Sequence, residues 1–203
     1  MSGGNSGTEN KVIFLGEVGV GKSTLIKISI GEKFSDVYTS SISLSFFSKE
    51  ITYNNKNYVF NLWDTIGQEK YRSLTKIFYK KSKVVIFVYN ITDKESFDNL
   101  EYWIDSVKEE LGDEKYIKAI VGNKSDLFLK EKVKEEEAKK YAYSKGMKFK
   151  LCSAKENPGE FTNFLKELCI ESIKECEENI DENNNNVTLN TSAINEDKSN
   201  CNC

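Results

Sequence analysis

Apolar and polar positions follow two different periods along the chain, which predicts strands alternating with helices. Short runs of β-branched and aromatic residues indicate strands, and apolar residues at every third or fourth position indicate helix faces. Six strands are predicted, within residues 11–16, 46–53, 57–64, 84–91, 116–124 and 147–154. Helices are predicted up to about Ile30, from Phe97 to Leu111, between the last two strands, and from Pro158 onwards. This alternation predicts an α/β fold with a mostly parallel sheet that helices cover on both faces.

Composition divides the chain into three segments. Residues 11–176 hold the predicted elements, whereas residues 1–10 and 177–203 are polar and too poor in apolar residues to fold, so we expect both to be disordered. The formal net charge of −3 is uneven, with −5 in the last segment and +2 in the rest. No strong positive field is present, and we expect no nucleic-acid partner.

Three features of the composition limit the possible classes of protein. Histidine is absent, which excludes Ser-His and Cys-His nucleophiles and His-ligated metals. The five cysteines are an odd number and follow no secretory leader, so we expect reduced thiols in the cytosol. No apolar run approaches twenty residues, and we expect no membrane-spanning helix.

Residues 16–23 match the phosphate-binding pattern G-x-x-x-x-G-K-[ST]. The backbone N–H groups of such a loop surround phosphates, the lysine reaches the β- and γ-phosphates, and the hydroxyl binds Mg²⁺. A plain glycine turn can also fit the pattern, but its place between a strand and a helix favours phosphate binding. Val18 puts a branched apolar side chain where the last phosphate would lie. The predicted phosphate-binding residues are Val18, Gly19, Gly21, Lys22, Ser23 and Thr24.

Two later motifs indicate guanine as the base. Asn123, Lys124 and Asp126 follow the fifth strand, and the Asp126 carboxylate can accept hydrogen bonds from the guanine N1–H and 2-amino group. Adenine offers no such pair of donors and would leave a buried acid unpaired. The sequence Ser153-Ala154-Lys155 follows the last strand, and the Ala154 N–H could bind guanine O6. Asn-Lys-Ser-Asp alone also fits a solvated loop, but the second motif behind it favours the base site.

The sequence Trp-Asp-Thr-Ile-Gly-Gln-Glu at the end of the third strand carries the predicted hydrolytic residues. Asp64 would hold Mg²⁺ through water, Gly67 would donate its N–H to the γ-phosphate, and Gln68 would orient the attacking water. The predicted catalytic residues are Gln68, Gly67 and Lys22.

The chain resembles the small GTPases of the Ras superfamily in four motifs that occur in the same order, GEVGVGKS, DTIGQE, GNKSD and SAK. The resemblance extends from about Lys11 to Cys176. The Rab family in particular is resembled by three segments, WDTIGQEKYRSL, IFYKKSKVVIFVYNITDKESF and the terminal CNC. Within the first of them, KYRSL resembles the early-endosomal members of that family. The resemblance implies a P-loop NTPase fold, a small G domain with a six-stranded sheet and five helices. It also implies a GTP/GDP switch that regulates vesicle trafficking on the cytoplasmic face of an intracellular membrane, with a cytosolic pool.

The family also implies roles for residues outside these motifs. Phe34 would stack on the guanine, Tyr38 would close over the nucleotide, and Ser41 would be the second Mg²⁺ ligand. The aromatic cluster with which Rab proteins meet effectors matches Phe46, Trp63 and Phe78, although ordinary core packing also explains such residues. The implied partners are effectors, an exchange factor, a GTPase-activating protein, and Rab escort and dissociation proteins. We expect the chain itself to be a monomer.

Four residues near the predicted γ-phosphate depart from the family pattern. Val18 and Ile66 are bulkier than the usual residues, Ser41 replaces Thr, and Ser43 replaces Gly. Two interpretations stay open: crowding of Gln68 that slows hydrolysis, or family drift that the loop accommodates. A GTP-locked scaffold and an ATP-using P-loop enzyme are the alternative functions, and Asp126 argues against the second.

Two further features concern regulators and membranes. Arg72 is the sole arginine, and it lies four residues after Gln68 in the segment that the resemblance implies is the second switch, a segment that changes with the bound nucleotide. We therefore expect the arginine finger to come from an activating protein. Cys201 and Cys203 resemble the CxC ending on which Rab proteins carry two geranylgeranyl groups. One lipid chain binds membranes only marginally without a basic patch, and this tail is acidic, which favours two chains over one. Two idle thiols are the alternative explanation.

Overall fold

Six strands and five α-helices lie within the part of the chain that the structure describes. The computed structural model describes residues 10–35, 45–65, 79–112 and 114–194, with side chains as far as Glu178. The strands are β1 Asn10–Leu15, β2 Ser45–Tyr53, β3 Lys56–Asp64, β4 Ser82–Asn90, β5 Ile117–Asn123 and β6 Lys148–Leu151. The α-helices are α1 Lys22–Ser29, α2 Lys94–Asp98, α3 Leu100–Leu111, α4 Glu135–Ser144 and α5 Pro158–Ile194, and a 3-10 helix covers Ser125–Lys130. The predicted α/β class is confirmed.

The strands form one mixed sheet in the order β2-β3-β1-β4-β5-β6. Strand β2 pairs with β3 in antiparallel register, and every other neighbouring pair is parallel. Since β3 and β4 flank β1 on opposite sides, the chain crosses over in two directions from the central strand. In open α/β sheets this arrangement opens a crevice at the carboxyl ends of the strands. The loop after β1 therefore begins at the edge of the sheet where ligands bind.

Helices cover both faces of the sheet, which explains the continuous apolar runs in its central strands. In β1, Val12 and Phe14 belong to one buried cluster and Ile13 and Leu15 to the other. Side chains of a strand alternate between faces, so both sets are needed when both faces are covered. The first cluster contains residues of α1 and α5, and the second contains residues of α2, α3 and α4.

The turn between β2 and β3 forms where two asparagines predict it. Asn54 and Asn55 adopt positive φ angles of 48° and 59°. A two-residue turn with positive φ at both positions matches the twist of antiparallel strands, and asparagine tolerates this conformation. The strands pair on either side of the turn from Tyr53–Lys56 to Ser45–Asp64.

Two helices differ from the sequence expectation. The helix predicted from Phe97 to Leu111 is divided at Asn99, where α2 ends and α3 begins. Helix α5 continues to Ile194, although the sequence analysis ends the folded domain at Cys176. The last buried apolar residue of α5 among the described side chains is Ile173. The spacing of apolar residues, from which the helix was predicted, therefore does not indicate its continuation. The bounds 11–176 and the disorder of residues 177–203 stay predictions.

Candidate nucleotide-binding site

The predicted phosphate and base motifs lie at the carboxyl ends of neighbouring strands. The loop of residues 16–21 follows β1, and Asp64 is the last residue of β3. Asn123 is the last residue of β5, and Ser153 follows the end of β6 by two residues. The parallel pairing of β3, β1, β4, β5 and β6 brings these ends to one edge of the sheet, as the sequence predicts.

The Lys22 ammonium group is held inside the loop by two main-chain carbonyl groups. Its Nζ donates to the oxygens of Gly16 and Glu17, each at 2.8 Å, and the residue is only 6 % exposed. Burial lowers the pKa of Lys22 to about 8, while the nearby Asp64 and Glu17 carboxylates oppose this shift. An ammonium group has three N–H donors, so its two hydrogen bonds to the described residues leave a third donor for a ligand.

The first turn of α1 borders the same loop. Gly21 caps the helix in the left-handed conformation, and Ser23 and Thr24 lie half-buried in the first turn. The first N–H groups of a helix have no partner within it, and together with the helix dipole they favour an anion. The Val18 side chain, in contrast, is exposed, with 47 % of its surface accessible to solvent. The predicted phosphate-binding residues thus form one loop and helix start.

The base motif is attached to the phosphate loop by side-chain hydrogen bonds. Asn123 Nδ2 donates to the Val20 carbonyl oxygen at 2.9 Å, and Lys124 Nζ donates to the Gly19 carbonyl oxygen at 2.8 Å. The Ala154 N–H donates to Asn123 Oδ1 at 3.3 Å, which joins the loop after β6 to the same network. Burial lowers the pKa of Lys124, and the Asp126 and Asp93 carboxylates oppose the shift. The three loops therefore act as one connected unit.

The Asp126 carboxylate is oriented by the last of these loops. The Ser153 hydroxyl donates to Asp126 Oδ1 at 2.6 Å. The same hydroxyl oxygen accepts the N–H groups of Lys155 at 3.2 Å and Glu156 at 3.0 Å. Since a carboxylate offers about four acceptor positions, the bond from Ser153 leaves capacity for two further N–H donors.

Phe34 and Lys155 approach each other from separate parts of the chain. Lys155 Nζ lies 5.6 Å from the centroid of the Phe34 ring, within the range of a cation–π contact. Phe34 is 37 % exposed, so one part of its ring stays accessible. A planar base stacked between these two side chains would need them to move apart, so the stacking of guanine on Phe34 stays a prediction.

The end of β3 is fixed against β1 by a buried threonine. Thr65 Oγ1 donates to the Phe14 carbonyl oxygen, and Thr65 and its neighbour Asp64 are both buried. Asp64 acts electrostatically on Lys22, so its carboxylate lies near the phosphate loop. The structure thus brings the predicted metal-binding acid to the same site.

Two of the three predicted effector residues form an aromatic pair on β2 and β3. The rings of Phe46 and Trp63 stack with their centroids 5.5 Å apart, and Lys11 Nζ lies 4.6 Å from the Trp63 ring centroid. Phe46 is 60 % exposed, whereas Trp63 is partly buried. Phe46 is therefore available to a partner, and Trp63 also serves as its support.

Several predicted residues lie outside the described ranges and stay predictions. They are Tyr38, Ser41, Gly67, Gln68, Phe78, Cys201 and Cys203. The same holds for the departures at Ser43 and Ile66 and for Arg72. Among the helices that the structure describes, none has both the length and the apolar character required to cross a membrane.

Sequence reasoning did not identify Glu17 and Trp103 as residues of this site. Trp103 Nε1 donates to Glu17 Oε1 at 3.1 Å, across 86 positions of sequence. Trp103 matches the apolar spacing of α3 and so looks like a core residue, and Glu17 occupies a variable position of the phosphate-loop pattern. No local signal pairs them, because the contact depends on how α3 packs against the sheet.

Comparisons with known proteins show the family of this chain. The Ras family model matches residues 11–175. The chain is 36 % identical over 152 residues to the Ras-related protein RABF2b of Arabidopsis thaliana, covering 75 % of this chain and 76 % of the relative. It is 41 % identical over 155 residues to Rab-21 of Geodia cydonium, covering 76 % and 67 %. It is 38 % identical over 164 residues to Rab-21 of Homo sapiens, covering 81 % and 72 %. The chain therefore belongs to the Ras family, and its similarity to Rab proteins identifies it as a Rab small GTPase that binds and hydrolyses GTP.

Proposed function

We propose that this chain is a membrane-attached GTP/GDP switch that recruits effectors in vesicle trafficking. The observation that carries the proposal is the connection between the base and phosphate loops through Asn123 and Lys124. One nucleotide bound at this edge of the sheet would contact both loops, so the presence or absence of its last phosphate can be transmitted between them. We expect a monomer at the cytoplasmic face of an intracellular membrane, with a cytosolic pool. The KYRSL segment supports an endosomal membrane.

Guanine specificity rests on the oriented carboxylate of Asp126. The hydrogen bond from Ser153 fixes one oxygen of this carboxylate, and two guanine N–H groups can use the remaining acceptor positions. An adenine base would leave the acid without these donors, which disfavours the alternative of an ATP-using enzyme. The Ala154 N–H is the proposed donor to guanine O6, and it would exchange its long hydrogen bond to Asn123 Oδ1, at 3.3 Å, for this acceptor when the base binds.

The residues at the phosphate loop fit a bound Mg²⁺ ion. Ser23 supplies a hydroxyl oxygen and Asp64 a buried carboxylate, and oxygen ligands of this kind are those that Mg²⁺ prefers. The electrostatic effect of Asp64 on Lys22 supports a carboxylate close to the first turn of α1. Ser41 is the proposed second hydroxyl ligand. A bound Mg²⁺ ion would neutralise charge on the phosphate oxygens during transfer.

We propose that hydrolysis is slow and depends on an activating protein. Gln68 would orient the attacking water and the Gly67 N–H would bind the γ-phosphate, but the sole arginine, Arg72, follows Gln68 in the second switch. Intrinsic rates of about 10⁻⁴ s⁻¹ rise about 10⁵-fold when a partner supplies an arginine. An activating protein that contains such an arginine is therefore the expected regulator, with an exchange factor to release GDP.

A GTP-locked scaffold is the second candidate, and Val18 is the observation that favours it. This side chain is 47 % exposed in the phosphate loop, so it is not absorbed by the core. Beside a γ-phosphate, it would crowd the water that Gln68 orients, and Ile66 would add further bulk. A small misplacement of the reacting groups can slow a reaction about 10²-fold.

Single-turnover phosphate release from GTP-loaded protein separates the two candidates. The wild-type chain is compared with Val18→Ser and Gln68→Leu under identical conditions. The switch predicts that wild type and Val18→Ser release phosphate at similar rates and that only Gln68→Leu stalls. Wild type as slow as Gln68→Leu, with a faster Val18→Ser, would instead establish the scaffold.

We further propose that Cys201 and Cys203 each carry a geranylgeranyl group. The acidic segment before them supplies no basic patch, so one chain would bind a membrane only marginally. Rab escort and dissociation proteins would then deliver and extract the lipidated chain. After prenylation in vitro, wild type should co-sediment with neutral vesicles, each single Cys→Ser variant should bind weakly, and the double variant should stay in solution. Equal binding of a single variant and wild type would refute the requirement for two chains.

A further inference from the structure

The phosphate loop is held from outside the known motifs by a buried tryptophan. Trp103, which is 0 % exposed on α3, donates its indole Nε1–H to Glu17 Oε1 at 3.1 Å. Glu17 lies within the phosphate loop and is only partly buried. A hydrogen bond from a rigid, fully packed ring to a carboxylate fixes the direction of that carboxylate.

Glu17 is also one of the two residues that position the Lys22 ammonium group. Its main-chain carbonyl oxygen accepts from Lys22 Nζ at 2.8 Å, and the Gly16 carbonyl oxygen accepts at the same distance. The residue whose side chain Trp103 holds is therefore the residue whose backbone directs the lysine. If the Glu17 side chain moves, the peptide group that aims Lys22 is no longer fixed.

The charge of Glu17 makes its position important for a polyphosphate. A carboxylate near Lys22 stabilises the ammonium form but repels a nearby phosphate, so the two effects of the charge oppose each other and the hydrogen bond from Trp103 carries the effect of Glu17. The indole N–H holds this charge on the side of α3. Within the described residues, the arrangement keeps the carboxylate near the lysine and aims its side chain toward the helix.

We infer that Trp103 is a positioning residue that acts through Glu17 to keep the phosphate loop in its binding geometry and so slows nucleotide release. The inference rests on the proposed function, because it concerns the same site and the same guanine nucleotides. Trp103 contacts no nucleotide in this mechanism, and its effect passes through one hydrogen bond.

The test measures the dissociation of GDP that carries a fluorescent N-methylanthraniloyl group on its ribose, chased with unlabelled GDP. Trp103→Phe keeps an aromatic ring but removes the donor, and release should accelerate on the order of tenfold, the effect of one hydrogen bond to a charged group. Val107→Ala is the matched control, since Val107 is buried on the same helix and makes no described hydrogen bond to the loop. Its release rate should stay within about twofold of wild type.

Two variants of Glu17 keep the test decisive if Trp103→Phe folds poorly. Glu17→Ala removes the acceptor and should match the acceleration of Trp103→Phe, whereas Glu17→Gln retains an acceptor oxygen and should restore most of the slow release. In a Glu17→Ala background, Trp103→Phe should cause no further acceleration, because the two residues act in series.

Three results would overturn the inference: equal release from Glu17→Gln and Glu17→Ala, equal acceleration by Val107→Ala, or independent effects in the double variant. If the wild-type chain binds neither GDP nor GTP, the proposed function fails and this inference fails with it. Tight binding by wild type, with unchanged release from Trp103→Phe and Glu17→Ala, refutes the inference alone.

Discussion

Replacing Gly21 with alanine tests the connection between the phosphate and base loops. Gly21 has a φ angle of 102°, and an added Cβ would lie 2.2 Å from Asn123 Nδ2. Gly19, in the same loop, has a φ angle of 77°, and an added Cβ would meet nothing within 4 Å. Both alanine variants place a side chain on positive-φ backbone, but only Gly21→Ala displaces the asparagine.

The structure sets different magnitudes for the two variants. Positive φ costs a non-glycine residue about 1–2 kcal/mol, which applies to both. Gly21→Ala must also move Asn123, whose amide donates to the Val20 carbonyl oxygen at 2.9 Å and accepts the Ala154 N–H at 3.3 Å. Leaving such buried groups unpaired costs about 1–3 kcal/mol. We therefore expect a loss of about 2–5 kcal/mol for Gly21→Ala and about 1–2 kcal/mol for Gly19→Ala.

Urea-induced unfolding of the nucleotide-free chains, followed by circular dichroism, measures these free energies. In an Asn123→Ala background the collision is absent, so Gly21→Ala should lose no more stability than Gly19→Ala does. Equal losses for the two glycine variants in the wild-type background would refute the reasoning. So would an undiminished loss for Gly21→Ala beside Asn123→Ala.

Three further predictions follow from the pKa of Lys22, the base contact and the last helix. Burial lowers the Lys22 pKa from 10.5 to about 8, so the native state holds this proton less tightly than the unfolded chain does. The resulting destabilisation is fully present below pH 8 and should disappear as the pH rises to 10.5. In urea unfolding, the free energy of unfolding of the wild-type chain should therefore rise by about 3 kcal/mol over this range relative to that of Lys22→Met. Parallel pH profiles of the two chains would contradict this. Asp126→Ala should weaken GDP binding about 10²-fold in equilibrium titrations and leave weak ADP binding unchanged, whereas unaltered GDP affinity would revive the ATP-using alternative. The Tyr58 hydroxyl of β3 donates to Glu177 Oε1 of α5 at 3.0 Å and so holds this part of α5 against the sheet. Tyr58→Phe should therefore speed tryptic cleavage after Lys174 several-fold, and equal cleavage rates would count against that contact.

Local features account for the parts of the fold that the sequence predicts well. The continuous apolar runs of β1 and β4 predict strands covered on both faces, because successive side chains of a strand alternate between the two faces and both sets are apolar here. The Asn54-Asn55 turn is predicted as well, since its φ angles depend on those two residues alone. The phosphate and base motifs each lie within a few residues and follow a strand, so their common edge of the sheet follows from parallel topology.

The sequence by itself therefore determined most of the elements, the α/β class and the two motifs that we propose hold a guanine nucleotide. Only the tertiary structure decided how those motifs support one another. Asn123 reaches Val20 across 103 positions and Trp103 reaches Glu17 across 86, and no periodicity in the chain encodes either contact. Such pairs depend on the packing direction of whole helices and strands, which many distant residues set together. A tryptophan at a core position of α3 thus becomes part of the phosphate site only when the helix is packed against the sheet.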